Sequence, residues 1–554
     1  MSGARRPDAH PDDAALSLAG STGSTGSAGS SGRVGGALLV VGATSGAGKS
    51  TVAAALCRAW SRQGRSVAPF KAQNMSNHSA VTPDGGEIGR AQALQALAAG
   101  VETDRRMNPV LLKPTRGGSS HLVVLGDEAA TTDARSYGDT ARELRGVVLD
   151  ALTGLRHEHD WVVAEGAGGA AEINLLPRDL VNLPLAAAAG IPALLVVDID
   201  RGGAFAAAHG TLDLLPQRLR RQVVGIVFNQ FRGDPTLLAD GIAELTRRDG
   251  VPVLGVLPHL SEHPMLGVED SLDLPATTSA GHAGSPRPVR VAVIRLPHLA
   301  NPADLDPLVL EPDVELRWVS GPGGLEDADL VVIPGSRATV AGLTWLRERG
   351  LDRALRHTRA SVLGLCAGYQ MLGEWIHDDL ESGQGAVAGL GLLPVTTTFR
   401  APKVVTRSTG SSVGPEGTEH PVTGYQIRWG RPDGGQRPWL QLDQGGPGPD
   451  DCGPGPAGPG PEGGSGQEGQ SSPDGRVRGT SLHGVLDADG FRAALLGEVA
   501  ATRARCFTPT ARGYADALQD HVEHLADWLE GHVDLERLSA LAATAAAPDE
   551  RPGW

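Results

Sequence analysis

Two short stretches of this 554-residue chain carry residues able to do chemistry, and the reactions they imply differ. The first is Gly42-Ala-Thr-Ser-Gly-Ala-Gly-Lys-Ser50, which follows an apolar run at 37–41 and precedes a helix-like stretch. In a strand–turn–helix setting, backbone N–H groups and the helix start bind phosphates, a lysine reaches the terminal ones, and a serine hydroxyl ligates Mg²⁺. This assigns Gly42, Thr44, Ser45, Gly48, Lys49 and Ser50 to the phosphates of ATP, with Ser50 also a metal ligand. Five residues separate Gly42 from Gly48 where the common pattern has four, so the turn is a variant. The metal needs an acid. Glu165 closes the apolar run 161–164 and precedes Gly166-Ala-Gly-Gly, which puts its carboxylate at the sheet edge where α/β proteins bind ligands. Asp198 and Asp200 follow another apolar run, and Asp84 and Glu87 sit before a helix-like stretch, so they are alternatives.

The second stretch is Val362-Leu-Gly-Leu-Cys366-Ala-Gly-Tyr-Gln370, an apolar strand ending in a cysteine between glycines and passing into a helix. A tight strand-to-helix turn exposes its central side chain, and the helix start favours a thiolate. Cys366 is therefore a candidate nucleophile, with the Ala367 N–H as one oxyanion donor. A second donor can come from the turn Pro334-Gly-Ser-Arg, at Gly335. A cysteine nucleophile needs a base, and His483 in Gly479-Thr-Ser-Leu-His-Gly is the best placed.

Composition narrows the setting. A net charge of −15 argues against nucleic-acid and anionic-membrane partners and favours solubility. The four cysteines, Cys57, Cys366, Cys452 and Cys506, have neither metal-ligand spacing nor a disulfide pattern, which fits a reducing, cytoplasmic compartment. The longest apolar stretch, 183–197, holds two prolines and ends at Asp198, too short and broken to span a bilayer. Only four lysines occur among 49 basic residues: Lys49, Lys71, Lys113 and Lys403. A chain so rich in arginine keeps a lysine where a compact ammonium is needed, which adds Lys71 to the nucleotide site.

The elements that must position these residues read as two α/β units. Apolar runs at 37–41, 66–70, 161–164, 193–197, 223–228 and 253–256 alternate with helix-like stretches such as 51–63 and 88–99, the pattern of a parallel sheet covered on both faces. A second unit has strands at 290–295, 330–333 and 362–365, and a helix from Tyr369. Residues 1–36 read as a disordered tail, 37–275 as the first domain, 276–288 as a linker and 289–490 as the second domain. A Gly/Pro-rich insertion occupies 444–475, helices fill 491–541, and 542–554 is a frayed end.

Longer stretches carry a resemblance. They are Pro69-Phe-Lys-Ala-Gln-Asn-Met-Ser76, Asp84-Gly-Gly-Glu-Ile-Gly-Arg-Ala-Gln-Ala-Leu-Gln95, Asn108-Pro-Val-Leu-Leu-Lys-Pro114, Ala171-Glu-Ile-Asn-Leu175, Asp198-Ile-Asp-Arg-Gly-Gly203 and Gly364-Leu-Cys-Ala-Gly-Tyr-Gln-Met-Leu-Gly373. Over most of 37–535 the chain resembles the cobyric acid synthase family of glutamine-hydrolysing amidotransferases in cobalamin biosynthesis. The fold implied is an N-terminal, dethiobiotin-synthetase-like P-loop parallel-sheet domain followed by a class I glutamine amidotransferase α/β domain. The reaction implied is hydrolysis of glutamine at Cys366 through a thioester, with His483 as base and then acid. Ammonia would pass to the ATP domain and displace phosphate from an activated corrin carboxylate. The family does this at the b, d, e and g carboxylates of adenosylcobyrinic acid a,c-diamide. Asn74, Asp84, Glu87 and Lys113 are the acceptor-side candidates that the resemblance implies.

This sequence departs from the family pattern in places. Gln426 and Arg428 stand where Glu and His are usual, His78 where Asn is usual, and Arg337-Ala338 where Lys-Asn is usual. Val485 occupies the place of the glutamate common in other amidotransferases, as in this family, so the third member of the cysteine site is open. Two other readings compete. Cobyrinic acid a,c-diamide synthase shares both domains, and a partition-type ATPase switch shares the phosphate turn but usually has a lysine where Ala43 stands. The order of amidations, the ammonia route, a second metal-binding acid and the oligomeric state stay open.

Overall fold

The computed structural model describes residues 34–114, 119–133, 137–260, 277–278, 287–412, 418–443 and 466–543. Cys452, most of the N-terminal tail, most of the 276–288 linker, the body of the 444–475 insertion and the tail from 544 lie outside the described residues.

The first sheet contains β1 (Gly36–Gly42), β2 (Val67–Phe70), β3 (Trp161–Glu165), β4 (Ala193–Asp198), β5 (Val223–Phe231) and β6 (Val253–Pro258) in the order β6-β5-β4-β1-β3-β2. All its pairings are parallel. These strands are near-continuous apolar runs because both faces are covered. Helix α1 (Lys49–Arg62) leaves directly from the turn after β1, and α2 (Arg90–Ala99) packs beside it. Strand β1 is central, with β3 on one side and β4 on the other, so Val40 pairs with Glu165 and Gly42 with Val196.

The helix expected over 88–99 begins two residues later. Glu87–Gly89 is instead a short strand paired antiparallel with Ser79–Val81. Gly89 is extended, with φ −62° and ψ 140°, and its N–H is taken by Asn108 Oδ1 at 2.9 Å. A four-stranded sheet of Gln73–Met75, Val110–Pro114, Ser119–Val124 and Asp127–Asp133 lies outside the expected pattern, because its strands are too short and polar to read as buried runs.

In the second sheet β7 (Val289–Ile294), β8 (Val314–Val319), β9 (Leu330–Ile333), β10 (Ser361–Leu365) and β11 (Val477–Thr480) run parallel in the order β8-β7-β9-β10-β11. A two-residue strand borders each edge, Thr277–Thr278 on β8 and Gln470–Ser471 on β11. Residues 466–475, assigned by composition to the insertion, are thus part of this fold. Glu468 receives the Ser481 N–H at 2.7 Å, which their glycine content conceals. A long antiparallel hairpin, Thr396–Ser412 with Pro421–Asp433, leans from the second unit onto the first. Its Arg407 donates to Val81 O at 2.8 Å.

The C-terminal residues form α4 (Asp489–Arg503), α5 (Tyr514–Glu530) and α6 (Leu535–Ala543). The last two return to the first sheet. Val522, Leu525, Leu529 and Leu538 share one core with Leu38, Val40 and Val52, and Trp528 Nε1 donates to Pro258 O at 2.9 Å. The nucleotide half is therefore completed by residues near the far end of the chain. Among the described residues no helix is long and apolar enough to cross a membrane.

Leu529 is fully buried in that shared core. Leu529→Ala should destabilise the N-terminal half by about 2–5 kcal/mol, lowering its unfolding midpoint in thermal and urea melts. An unchanged midpoint would mean that the C-terminal helices contribute nothing to that core.

Candidate active site

At the phosphate turn two glycines are required by space. Gly48 has φ 90°, and a Cβ there would lie 2.1 Å from Asn229 Nδ2; a Cβ on Gly42 would lie 2.7 Å from Thr44 O. Asn229 Nδ2 also donates to Ala47 O at 2.9 Å, pinning the turn to β5. Thr44, Ser45 and Gly46 form the exposed lip. Lys49 is buried and donates to Gly168 O at 3.1 Å.

Glu165 is the hub beneath the turn. It accepts from Ser50 Oγ at 2.8 Å, Lys71 Nζ at 2.8 Å and Gln95 Nε2 at 2.6 Å. Burial alone would raise its pKa, but the Lys71 charge and the three hydrogen bonds outweigh it and hold the carboxyl below its ordinary value. Asp198 and Asp200 point elsewhere. Asp198 pairs with Arg201 at 3.2 Å and Asp200 with Arg232 at 2.9 Å. Among the described residues no group of three or more His, Cys, Asp or Glu could hold a metal by itself. One hydroxyl and one carboxylate beside a phosphate turn is, however, the modest set that Mg²⁺ uses when phosphates and water complete its shell. Ser50 and Glu165 fit it.

The second site is built from the carboxyl ends of four adjacent strands. Cys366 follows β10 with φ 49° and ψ −108°, a strained elbow, and begins the helix α3 (Ala367–Leu372). The flanking glycines allow the close approach: a Cβ on Gly368 would lie 1.9 Å from Ile333 O, and one on Gly364 2.7 Å from Tyr369 N. The Cys366 N–H is taken by Thr480 O at 2.8 Å, which ties the elbow to β11. His483 lies three residues beyond β11 and hydrogen-bonds Cys366. A Cβ built on Gly335 falls 3.3 Å from His483 Cε1 and 3.8 Å from Cys366 Cβ, so the turn after β9 crosses directly over the pair.

The member left open by the sequence is Asp304. Its Oδ2 lies 2.6 Å from His483 Nδ1, and its Oδ1 accepts the Gly484 N–H at 3.0 Å. It sits in the 3₁₀ turn Pro302–Leu305 after β7, and several other acids nearby left nothing in the sequence to select it. Burial would lower the His483 pKa. Asp304 and Cys366 on either side outweigh that and push it up to about 10. The Tyr425 ring stacks on it at 5.3 Å. Cys57, by contrast, is a buried thiol whose pKa burial pushes up, an inert packing group.

A pocket opens beside the pair, walled by Ser336, Arg337, Gln370, Glu381, Arg428 and Trp429, and from the other half by Asn77, Ser79 and Lys113. Arg337 stacks on Trp429 at 4.5 Å, and its buried Nε and Nη2 have no hydrogen-bond partner. Burial pushes the Glu381 carboxyl up to about 7 against the pull of Arg337 and the Thr339 N–H. Arg428 and Gln426, at the two positions that depart from the family pattern, bond to each other at 2.9 Å. His78, the third such position, is kept neutral, down to about 4, by burial and Lys113, and its Nδ1 accepts the Asn301 N–H at 3.1 Å.

The acceptor-side candidates divide. Asn74 is buried and donates to Gln92 Oε1 at 3.2 Å, near the Glu165 hub. Glu87 and Lys113 are paired with each other, and Lys403 from the hairpin closes on Glu87 at 2.6 Å, so both lie toward the Cys366 pocket. Asp84 is exposed on a turn and held by Arg105 at 2.6 Å.

Comparison with known proteins finds two matching domain families. Residues 38–269 match the CobQ/CobB/MinD/ParA nucleotide binding domain, and residues 290–491 the CobB/CobQ-like glutamine amidotransferase domain. The chain is 47% identical to a cobyric acid synthase of Nocardia farcinica over 93% of its own length and 98% of that protein's. The chain belongs to the cobyric acid synthase family. Its identity to a Frankia casuarinae member is 45% over 94% of this chain and 99% of that one, and to a Klebsiella pneumoniae member 40% over 91% and 98%. As in that family, one chain carries the nucleotide-binding and the glutamine amidotransferase domains of an amide-forming ligase.

Asp304→Asn should cut the kcat of glutamine hydrolysis by roughly 10²–10⁴-fold, as expected for removing the group that orients a catalytic histidine. The His483–Asp304 pairing also has a pH signature. Because folding raises the histidine from 6.5 to about 10, its contribution to stability is full below pH 6.5 and is lost as pH rises toward 10. The melting temperature of the wild type should exceed that of Asp304→Asn most below pH 6.5, with the gap closing toward pH 10. A gap independent of pH would refute the pairing.

Proposed function

We propose that this enzyme uses glutamine and ATP to amidate the b, d, e and g side-chain carboxylates of adenosylcobyrinic acid a,c-diamide, giving adenosylcobyric acid in cobalamin biosynthesis. The observation that carries the reading is the pairing of a Cys366–His483–Asp304 constellation with a phosphate turn on one compact chain of the cobyric acid synthase family. A cytoplasmic location suits a reaction that depends on a free thiol.

At the first site His483 takes the Cys366 thiol proton as Sγ attacks the amide carbon of glutamine, and the imidazolium so formed gives that proton to the departing ammonia. The thioester is then cleaved by water as His483 takes a proton back, releasing glutamate. The Ala367 and Gly335 N–H groups serve the oxyanion. The unpartnered Arg337 guanidinium fits the α-carboxylate of glutamine, and Glu381, in the same pocket, fits its α-ammonium group.

At the second site a corrin carboxylate oxygen attacks the γ-phosphorus of ATP and ADP leaves. Ammonia adds to the acyl phosphate carbon and phosphate departs, leaving the carboxamide. Gly42, Thr44, Ser45 and Gly48 cradle the phosphates while Lys49 and Lys71 offset their charge. Ser50 and Glu165 would hold Mg²⁺, which supplies further charge neutralisation on the phosphates. Asn74 stays with the acceptor carboxylate, whereas Lys113, paired with Glu87, walls the ammonia-producing side.

With ATP, Mg²⁺, glutamine and the a,c-diamide, product mass should step through four successive replacements of a carboxylate by an amide. Two amides added to cobyrinic acid, and none to the diamide, would point to the diamide synthase instead. Cys366→Ala should lose glutamine-driven synthesis and keep ammonia-driven synthesis. Arg337→Met should raise the KM for glutamine by about tenfold or more, the loss of one charged hydrogen-bonding partner, without changing the KM for ammonia.

A further inference from the structure

Behind His483 the fold packs more acid than the reaction uses. Asp304 and Asp306 lie on the segment after β7, and Asp487 faces them from the 3₁₀ turn Val485–Asp487. Asp304 has both oxygens committed, to His483 Nδ1 at 2.6 Å and to the Gly484 N–H at 3.0 Å. Its neighbours do not. Asp306 Oδ2 and Asp487 Oδ1 are buried without a hydrogen-bond partner, and so is the Tyr514 hydroxyl of α5. Buried acids in one cluster need a cation, and orphaned polar atoms need a reason.

The cation that faces all three acids comes from the other half of the chain. Arg90, the first residue of α2, exerts its charge on Asp304, Asp306 and Asp487 and hydrogen-bonds Tyr425. Arg492 also acts on Asp487, but its own guanidinium is paired with Glu311 and Asp489 at 2.7 Å each. The seam between the halves sets Arg90 in place. Its N–H donates to His78 O at 3.0 Å, and His78 Nδ1 accepts the N–H of Asn301, three residues before Asp304. Tyr425 carries the contact on to the histidine. Its ring stacks on His483 at 5.3 Å with the planes 20° apart, and the two backbones exchange hydrogen bonds at 3.0 and 2.9 Å. Burial favours protons on the acids, pushing Asp487 up to about 7 and Asp306 well above the usual carboxylate range, and the Arg90 charge opposes this for both. A proton passed from them to Asp304 would remove the acceptor that orients His483.

We propose that Arg90 is a positioning residue for glutamine hydrolysis, supplied by the nucleotide half to the Cys366–His483–Asp304 site. Its charge holds Asp304 as the acceptor of the His483 N–H, and its bond to Tyr425 fixes the ring against which the imidazole lies. The amidotransferase half therefore depends on the first residue of α2 for its full rate. This inference rests on the reading of Cys366 as a glutaminase nucleophile given above.

The test measures glutamate release from glutamine and ammonia-driven amide synthesis in the full-length enzyme. Arg90→Met should lower the kcat for glutamate release by about tenfold or more, the scale of one lost charged partner, and leave the KM for glutamine near the wild-type value. Because the lost charge lets the acids keep protons to higher pH, the acid side of its rate–pH profile should move up by about one unit. Arg90→Lys keeps a charge and should recover most of the kcat and the wild-type profile. Ammonia-driven synthesis should match the wild type in both variants, which also shows that they fold. A Met variant with wild-type kcat and profile overturns the assignment, as does a Lys variant no better than the Met one. So does an ammonia-driven rate that falls in step, which would make Arg90 a support for α2 alone. A wild type that releases no glutamate from glutamine overturns the glutaminase reading, and the role of Arg90 with it.

Discussion

Glu87 is a carboxylate almost without contact with water, held by one lysine from each half of the chain. Burying a charge is tolerable only when it is paired, and removing one partner of such a group costs about 3–5 kcal/mol. Here the pairing holds the Glu87 pKa well below the usual carboxylate range while burial and the cations around Lys113 bring that lysine down to about 7. The same contact fixes the hairpin on which Lys403 sits. That hairpin supplies Tyr425 against His483 and Trp429 beneath Arg337. The Cys366 pocket thus takes its walls from both halves, and the Ser79 and His78 contacts to Asn301 hold the same seam.

Helix α2 extends this dependence to the nucleotide side. At its start Arg90 hydrogen-bonds Tyr425, which stacks on His483; five residues on, Gln95 reaches Glu165. The five-residue step between them rises about 7.5 Å along a stiff helix. The Cys366 site and the phosphate turn are therefore tied to one rigid element, which makes a side-chain contact toward each. The C-terminal helices support the arrangement from behind. They cover the face of α1 and its sheet, with Arg62 paired to Asp527 at 2.7 Å.

Much of the two-sheet architecture was legible because parallel strands covered on both faces must be apolar throughout. The runs at 37–41, 161–164, 193–197 and 362–365 each became a strand within a residue or two of their expected ends. The small polar sheet around 73–133 was not legible, since its short strands gain their burial from neighbours and not from a period of their own. Residues 466–475 failed to register as part of the fold for a related reason. Their glycines matched the adjoining low-complexity stretch, while their pairing with 440–442 is long-range.

The sequence by itself determined the local chemistry: a glycine turn that can sit around phosphates, and a cysteine flanked by glycines that alone tolerate the backbone closing to 1.9 Å of a Cβ position. Such features depend on adjacent residues and their backbone freedom, so they survive in the one-dimensional record. The tertiary structure alone decided which distant groups serve them. Asp304 reaches His483 across 179 positions, Gln95 reaches Glu165 across 70, and Lys403 reaches Glu87 across 316. Nothing in the neighbourhood of those residues marks them, because their roles come from where strand ends converge and where the two halves meet.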